Sequence, residues 1–368
     1  MSEDEERLII AALYPALLGR DPDPDGSRYF MRMLHEQGLP TGLAAVLHHM
    51  IGSQEHRQHS QLSQHSGLIY EAAAFLAERT DPKIQYESGE PSQHRPAWRL
   101  CTAKQLRDPA AEFWRAARRA PPGMHRKSWE WDYILQNLCS FGMLRPPCKG
   151  LGFAVGREPL AAVMAARGCT IVATDAPPAL AALGGWAQTA QHANRLDDLN
   201  GEALCDPDGF RERVRFRHVD MNDIPADLAG FDFLWSSCAF EHLGSLEHGM
   251  RFVERAMDCL RPGGVAVHTT EFNLSSNRLT FEGLPTSVYR KCDIEQLYVR
   301  LQDAGHQLFP LNLAVGGEPE DLHVDTPPYF RAIPYGGSEP ASLKLLTQDR
   351  NLRIIVTSLG IVVQRKIA

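Results

Sequence analysis

No stretch of this chain approaches the roughly 18 consecutive apolar residues that a membrane span needs, although 43% of its 368 residues are hydrophobic. Cationic excess is missing too: 38 Lys and Arg stand against 45 Asp and Glu, a net charge of -7. Without a basic stripe there is no field to gather phosphates, so no nucleic-acid partner is expected. The short run Arg115-Ala116-Ala117-Arg118-Arg119 reads as the cation-rich last turn of a helix. The eight cysteines form no CxxC pair and no metal-type spacing. They read as small core hydrophobes in a reducing compartment, and no metal centre is expected. The acidic opening Ser2-Glu3-Asp4-Glu5-Glu6 is the opposite of a basic, apolar leader, so a cytoplasmic location is the expectation. What the chain does have is the length and apolar content for two or three domains with a substantial core.

Its organisation follows from local periodicity. Apolar residues at 8, 9, 12, 13, 16 and 17 form a helical stripe over 5–18, Gly19 ends it, and Arg20 to Gly26 caps a second helix over 27–37. Asp21, Asp23, Asp25 and Gly26 imitate the start of a calcium loop. The twelfth position is Arg32 rather than a glutamate, and two prolines interrupt the loop, so calcium is not expected. His48, His49, His56, His59 and His65 are irregularly spaced among Gln and Ser and read as solvated helix faces. We divide the chain into an all-helical module (1–80), a Pro-, Arg- and Gln-rich linker with one helix over 103–117 (81–123), and a main domain (124–368).

The main domain opens on a helix over 125–144 that carries Trp129 and Tyr133 on one face at i, i+4. They either wall a ligand site or pack the helix on a sheet. Then Lys149-Gly150-Leu151-Gly152-Phe153-Ala154-Val155-Gly156-Arg157-Glu158 takes an apolar strand into small residues and a new helix over 160–167. Such a loop lets the backbone approach a ligand closely, with the helix N–H groups aimed at it. The strand over 170–174 ends on Asp175-Ala176, and Asp175 falls 19 residues after Gly156. An acid at that offset in a doubly wound fold accepts hydrogen bonds from ribose hydroxyls. A third strand ends on Asp220-Met221, a carboxylate and an apolar side chain that can hold a planar base. A fourth, Phe231 to Ser236-Ser237, opens into Cys238-Ala239-Phe240-Glu241-His242, and Arg261-Pro262-Gly263-Gly264 precedes a fifth over 265–270.

This order of glycine loop, strand-end Asp, Asp-Met, FDFLWSS and LRPGG over roughly 125–275 resembles class I S-adenosylmethionine (SAM)-dependent methyltransferases. The resemblance implies an α/β fold, a Rossmann-like, seven-stranded doubly wound sheet with SAM across the strand ends, here with an N-terminal all-helical module. It places Gly150, Gly152, Ala154, Gly156, Glu158, Asp175, Ala176, Asp220, Met221, Ser236 and Ser237 at the cofactor. The loop GLGFAVGREPL resembles that of a bacterial subgroup associated with glycan and secondary-metabolite clusters. In the family an acid two residues before the first loop glycine meets the methionine amino group. Gly150 stands there in this chain, and Glu158 either substitutes or is an ordinary first-turn glutamate. The string LLGRDPDPDG resembles a small helical module of bacterial exported and glycan-associated proteins, which makes the N-terminal module a candidate contact for a protein partner or a second copy.

SAM is already an activated electrophile, so the protein must align an acceptor and, for an O or N nucleophile, take up a proton. His242 is the first candidate base and Glu271 the second. Quinone O-methyltransferases with a similar Glu-His pair bind a divalent metal through an acid three residues before that Glu, a position held here by Cys238. The acceptor side is expected from Trp129, Tyr133, Asn273, Tyr289, Arg290, His323 and Tyr329. A helix over 292–305, strands over 307–315 and 352–365 as an antiparallel edge hairpin, and a lid insertion over about 316–346 complete the reading. A small polar metabolite or saccharide is the expected acceptor. Two alternatives stay open: intramolecular attack within SAM that releases methylthioadenosine, and a degenerate SAM-binding scaffold.

Overall fold

The computed structural model describes residues 2–183, 191–329, 341–349 and 351–367, and leaves out the side chains of residues 54, 56–65, 182 and 183. His56, His59 and His65 therefore lie outside the described side chains. The chain divides into two compact units, the first built on residues 1–68 and the second from residue 69 onward.

The first unit is helical. Helix α1 (Glu3–Leu18) starts at Ser2, whose hydroxyl accepts from Glu5 N while the Glu5 carboxylate accepts from Ser2 N, so two otherwise orphaned donors are met. Helix α2 (Pro24–Gln37) begins earlier than the periodicity suggests because Asp23 caps it, accepting from Gly26 N at 2.7 Å, and Pro24 needs no partner in the first turn. The aspartate that imitates a calcium ligand is thus a cap, and it also pairs with Arg20 at 2.9 Å. With α3 (Thr41–Gly52) and α4 (Gln54–Leu76) in place, Ile10, Tyr14 and Leu18 of α1 bury against Leu34, Val46 and Met50.

The second unit is built on β1 (Trp98–Leu100), β2 (Lys149–Phe153), β3 (Thr170–Asp175), β4 (Val214–His218), β5 (Phe231–Ser237), β6 (Leu260–Asn273), β7 (Gln307–Leu308), β8 (Leu311–Asn312), β9 (Leu345–Asp349) and β10 (Leu352–Gln364). These form one sheet in the order β4-β3-β2-β5-β6-β10-β1-β8, with β7 and β9 also on β10. The expected seven strands are the run β4-β3-β2-β5-β6-β10-β7, parallel from β4 to β6 and antiparallel at β10. Helices α5 (Pro109–Ala117), α6 (Arg126–Ser140), α7 (Leu160–Ala166), α8 (Leu246–Ala256) and α9 (Lys291–Asp303) accompany the sheet. Among the described residues no helix is long and apolar enough to cross a membrane.

Three local expectations are corrected. Residues 81–123, read as a linker, contribute β1: Trp98 is fully buried, its indole N–H donates to Val362 O at 2.8 Å, and Arg99 and Leu100 pair with Gly360 and Leu359 of β10. The single helix over 103–117 is two, Ala103–Leu106 and α5, because Asp108 caps α5 and Pro109 carries no N–H to continue the first. The strand over 307–315 splits at Pro310, since β1 occupies the edge of β10 beyond β7 and β8 turns aside to pair with β1. In the insertion over 316–346, residues 330–340 lie outside the described residues, including Phe330 and Arg331. Its flanks are fixed by Lys344, whose fully buried ammonium donates to Val315 O at 2.9 Å and stands 3.4 Å from Asp321.

One buried group of β6 sets a pH dependence. His268 lies between the rings of Phe240 and Phe252, its Nδ1 2.8 Å from Ser236 Oγ, and burial pushes its pKa down to about 3. In the unfolded chain an imidazole titrates near pH 6.5. Below that pH the unfolded chain takes up a proton that the fold refuses, so stability is full above pH 6.5 and falls as the pH drops. Between pH 7 and pH 5 the loss is about 2 kcal/mol from this group. A His268→Phe chain should lose less stability over that interval in urea titrations, and an equally steep decline would place the effect elsewhere.

Candidate active site

A cavity of about 490 Å³ opens where the parallel strands end, bounded by Ala154, Gly156, Arg157 and Glu158 after β2, Asp175 and Ala176 at the end of β3, Val219 to Asn222 after β4, and Ser237 to Ala239 and His242 to Gly244 at and beyond the end of β5. Two non-glycine residues there hold left-handed backbone, Ala154 (φ 46°) and Cys238 (φ 44°), each one step past a strand. Such strain costs on the order of 1–2 kcal/mol per residue and collects at working sites. Neighbouring strands hold both turns: Val155 N donates to Thr174 O at 3.0 Å, and Cys238 N to Thr269 O at 3.0 Å.

Of the residues expected at a cofactor, Ala154, Gly156, Glu158, Asp175, Ala176, Asp220, Met221 and Ser237 line this cavity. Gly150, Gly152 and Ser236 do not. A side chain at Gly150 would strike the Phe233 ring at 2.4 Å, and one at Gly152 the Trp235 ring at 2.4 Å. These glycines admit the aromatic residues of β5 across the face of β2. Ser236 is buried on His268. Gly156 has a left-handed backbone (φ 54°) and a different neighbour, since an added Cβ would lie 2.8 Å from Gln191 O.

Asp175 is engaged by the protein itself. Its Oδ2 accepts from Gly156 N at 3.1 Å and Ala193 N at 2.9 Å, and its Oδ1 accepts from Ala176 N at 2.8 Å. The carboxylate therefore ties three backbone segments together. His192 also stands on the cavity wall, its ring stacked on that of His218.

The helix before β2 supplies the site, though through a face other than the expected one. Trp129 and Tyr133 are fully buried and stack on one another; Trp129 donates to Gln105 Oε1 at 2.9 Å and Tyr133 to Ala97 O at 2.8 Å. They pack the helix on the sheet. The lining residues are Lys127 and Trp131 instead, an i, i+4 pair on the neighbouring face of α6. Lys127 Nζ lies 2.8 Å from Glu158 Oε1, 3.0 Å from Glu130 Oε2 and 3.1 Å from Ser237 Oγ. Burial alone would raise the Glu130 pKa, but Lys127 and Arg126 outweigh it and hold the group at about 2. Burial pushes the Glu158 carboxyl upward against the pull of Lys127.

His242 lines the cavity beyond β5, with Nδ1 2.8 Å from Pro285 O. Glu271 does not line it; its Oε1 is 2.6 Å from Arg126 Nη2. Glu241 is buried beside His242, accepts from Thr270 Oγ1 at 3.1 Å, and is pushed up in pKa by burial. The remaining residues expected around an acceptor lie off the cavity. Asn273 closes a turn by accepting from Ser275 N and Ser276 N, Tyr289 donates to Leu246 O, and Arg290 pairs with Asp293 at the start of α9. Tyr329 donates to Leu346 O, and His323 follows the short helix Pro319–Leu322.

Residues 151–268 match the family model described as a methyltransferase domain. No protein of curated function matches the chain. Among solved structures the chain is similar to magnesium protoporphyrin IX methyltransferase from Synechocystis PCC 6803 with bound SAM, at 10% identity over 72% of this chain and 94% of that one, with a TM-score of 0.37. It is similar to a SAM-dependent methyltransferase from Clostridium acetobutylicum ATCC 824 at 10% identity over 70% and 97%, TM-score 0.37. A protein from Galdieria sulphuraria, provisionally named a sarcosine dimethylglycine methyltransferase, is 20% identical over 39% of this chain; the chain spans 46% of that protein's length, TM-score 0.30. The fold is a Rossmann-like sheet, and residues 151–268 within it match a methyltransferase-domain model.

Proposed function

We propose that this chain is a SAM-dependent methyltransferase that transfers a methyl group to O or N of a small polar metabolite or saccharide. The observation that carries this reading is the cavity, whose lining changes character from strand to strand in the order such a ligand requires. Past β4 come Val219, Asp220 and Met221, an apolar slot with one carboxylate that suits a purine and its amino group. Past β3 come Asp175, Ala176 and Leu180, and past β2 come Gly156 and Glu158, with Lys127 reaching over from α6. From β4 to β5 is three strand spacings, about 14 Å, room for a nucleoside bearing an amino-acid arm.

The donor set fits that arm. Lys127 takes the α-carboxylate and Glu158 the α-ammonium, so Glu158 supplies the acid that Gly150 lacks. When bound, SAM supplies a methyl group on an electron-poor sulfonium. The chain's own residues orient it, exclude water with Trp131, Leu243 and Leu284, and take the acceptor's proton at His242. Arg126 neutralises Glu271 and leaves it a positioning role.

Titration calorimetry with SAM and S-adenosylhomocysteine, followed by product analysis, tests the reading. Wild-type protein should bind both ligands and yield S-adenosylhomocysteine with a methylated acceptor. Methylthioadenosine as the product would shift the reading to intramolecular chemistry, binding without any product would leave a SAM-binding scaffold, and no binding at all would defeat the SAM reading. Glu158→Gln keeps the shape but loses a charge-assisted hydrogen bond worth about 1.5–3 kcal/mol. It should weaken SAM binding tenfold or more, and undiminished affinity would remove Glu158 from the cofactor.

A further inference from the structure

Two of the eight cysteines are neighbours across the sheet. β2 and β3 run parallel with Lys149 opposite Thr170 and Gly150 opposite Ile171, and the ladder reaches one residue further back, where Thr170 N donates to Cys148 O at 3.1 Å. Cys148 and Cys169 are therefore the opposed positions just before the two strands begin. They also share a face. A side chain added at Gly150 would meet Ile171 Cδ1 at 2.9 Å, so opposed residues of these strands project to the same side. Positions 148 and 169 stand two residues earlier on each strand, where the pleat returns to that side. Both thiols turn to one bend of the chain: Cys148 Sγ donates to Gly142 O at 4.0 Å and Cys169 Sγ to Met143 O at 3.6 Å.

This arrangement meets the spatial requirement of a disulfide. Neighbouring strands lie about 4.8 Å apart, inside the Cα separation of about 4.4–6.8 Å that the bond spans. Access is one-sided, because Cys148 is half-buried and Cys169 fully buried. Burial pushes both thiols up, and with Cys148 beside it the Cys169 thiol reaches about 12. At neutral pH both are protonated and slow to react. The pair lies at the strand ends opposite the cavity, and the segment between its members carries Gly152, Gly156, Glu158 and α7.

We propose that Cys148 and Cys169 are a redox-modification site, joined by a reversible disulfide that closes the glycine-loop unit into a ring when a low-molecular-weight disulfide such as oxidised glutathione is the oxidant. The Cys148 thiolate attacks that disulfide, releasing one glutathione and leaving the other bonded to Cys148. The Cys169 thiolate then attacks Cys148 Sγ, which forms the protein S–S bond and releases the second glutathione. Two cysteines lose two electrons, the oxidant gains them, and the two thiol protons end on the two glutathiones. The new bond constrains the unfolded chain and leaves the cavity lining untouched, so it acts on stability and not on the ligand.

The test incubates the full chain with oxidised glutathione, alkylates the remaining thiols and maps the peptides by mass spectrometry, with melting followed by circular dichroism. The wild-type chain should yield a peptide pair linked through Cys148 and Cys169, faster at alkaline than at neutral pH. It should melt about 5 °C above the reduced chain and return to the lower value with dithiothreitol. Cys169→Ser should stop with glutathione on Cys148, and Cys148→Ser should leave Cys169 unmodified. Alkylated thiols at both positions, or glutathione that stays on Cys148 of the wild-type chain, would overturn the proposal, as would a linked chain that melts no higher than the reduced one. If a serine variant fails to fold, the wild-type peptide map decides by itself.

Discussion

Replacing His242 with alanine is expected to lower turnover by about 10²–10⁴-fold and to leave the affinity for SAM little changed. The residue lines the cavity immediately beyond β5, on the side where the proposed acceptor would approach the methyl group. Its Nδ1 lies 2.8 Å from the Pro285 carbonyl, which can only accept, so this nitrogen carries the proton and the basic lone pair belongs to Nε2. Glu271, the competing base, faces Arg126 at 2.6 Å. Its carboxylate is engaged by that guanidinium and does not line the cavity, so it is not placed to reach an acceptor there. Glu271→Gln should therefore retain a larger share of turnover than His242→Ala. A fully active His242→Ala beside a dead Glu271→Gln would reverse the assignment. Full activity in both would mean that alignment alone drives transfer to an acceptor already deprotonated.

Gly156→Val is expected to abolish SAM binding while the chain still unfolds cooperatively. The backbone there has φ 54° and an added Cβ would stand 2.8 Å from Gln191 O. Left-handed backbone costs a non-glycine residue about 1–2 kcal/mol, more for a β-branched one. The overlap must also push away either the loop or residues 191–193. Both are cavity walls, and both are tied to Asp175. The matched control is Gly168→Ala, also at positive φ (89°) and 2.6 Å from Pro146 Cγ, but off the cavity. It should lower the melting temperature and leave the SAM affinity intact. Normal calorimetric binding by Gly156→Val would mean that the loop does not cradle the cofactor.

The sequence by itself determined the parts whose signals are carried by neighbouring residues. Apolar runs bounded by turns gave the parallel strands, the loop and its offset acid located Gly156 and Asp175, and the strand ends located Asp220, Met221, Ser237 and His242 on what became one cavity. The seven-stranded sheet came from the family resemblance and not from these local signals, since the right-handed crossover of parallel strands limits the topologies without fixing the strand order. The same local signals misled where packing sets the meaning of a residue. Gly150 and Gly152 answer to Phe233 and Trp235, more than 80 positions away. Periodicity marked α6 as amphipathic without fixing which of its faces meets the sheet, so Trp129 and Tyr133 stayed open between walling a ligand site and packing the helix; they pack, and Lys127 and Trp131 line the cavity. Only the tertiary structure brought Ser358 to Glu130, Arg126 to Glu271, and Lys127 to Glu158. The same is true of β1 on β10 and His192 on Asp175. The reason is physical: caps, turns and periods are written within one turn or one strand of the chain, whereas the partner of a buried charge is whatever the folded sheet places within a few ångströms of it.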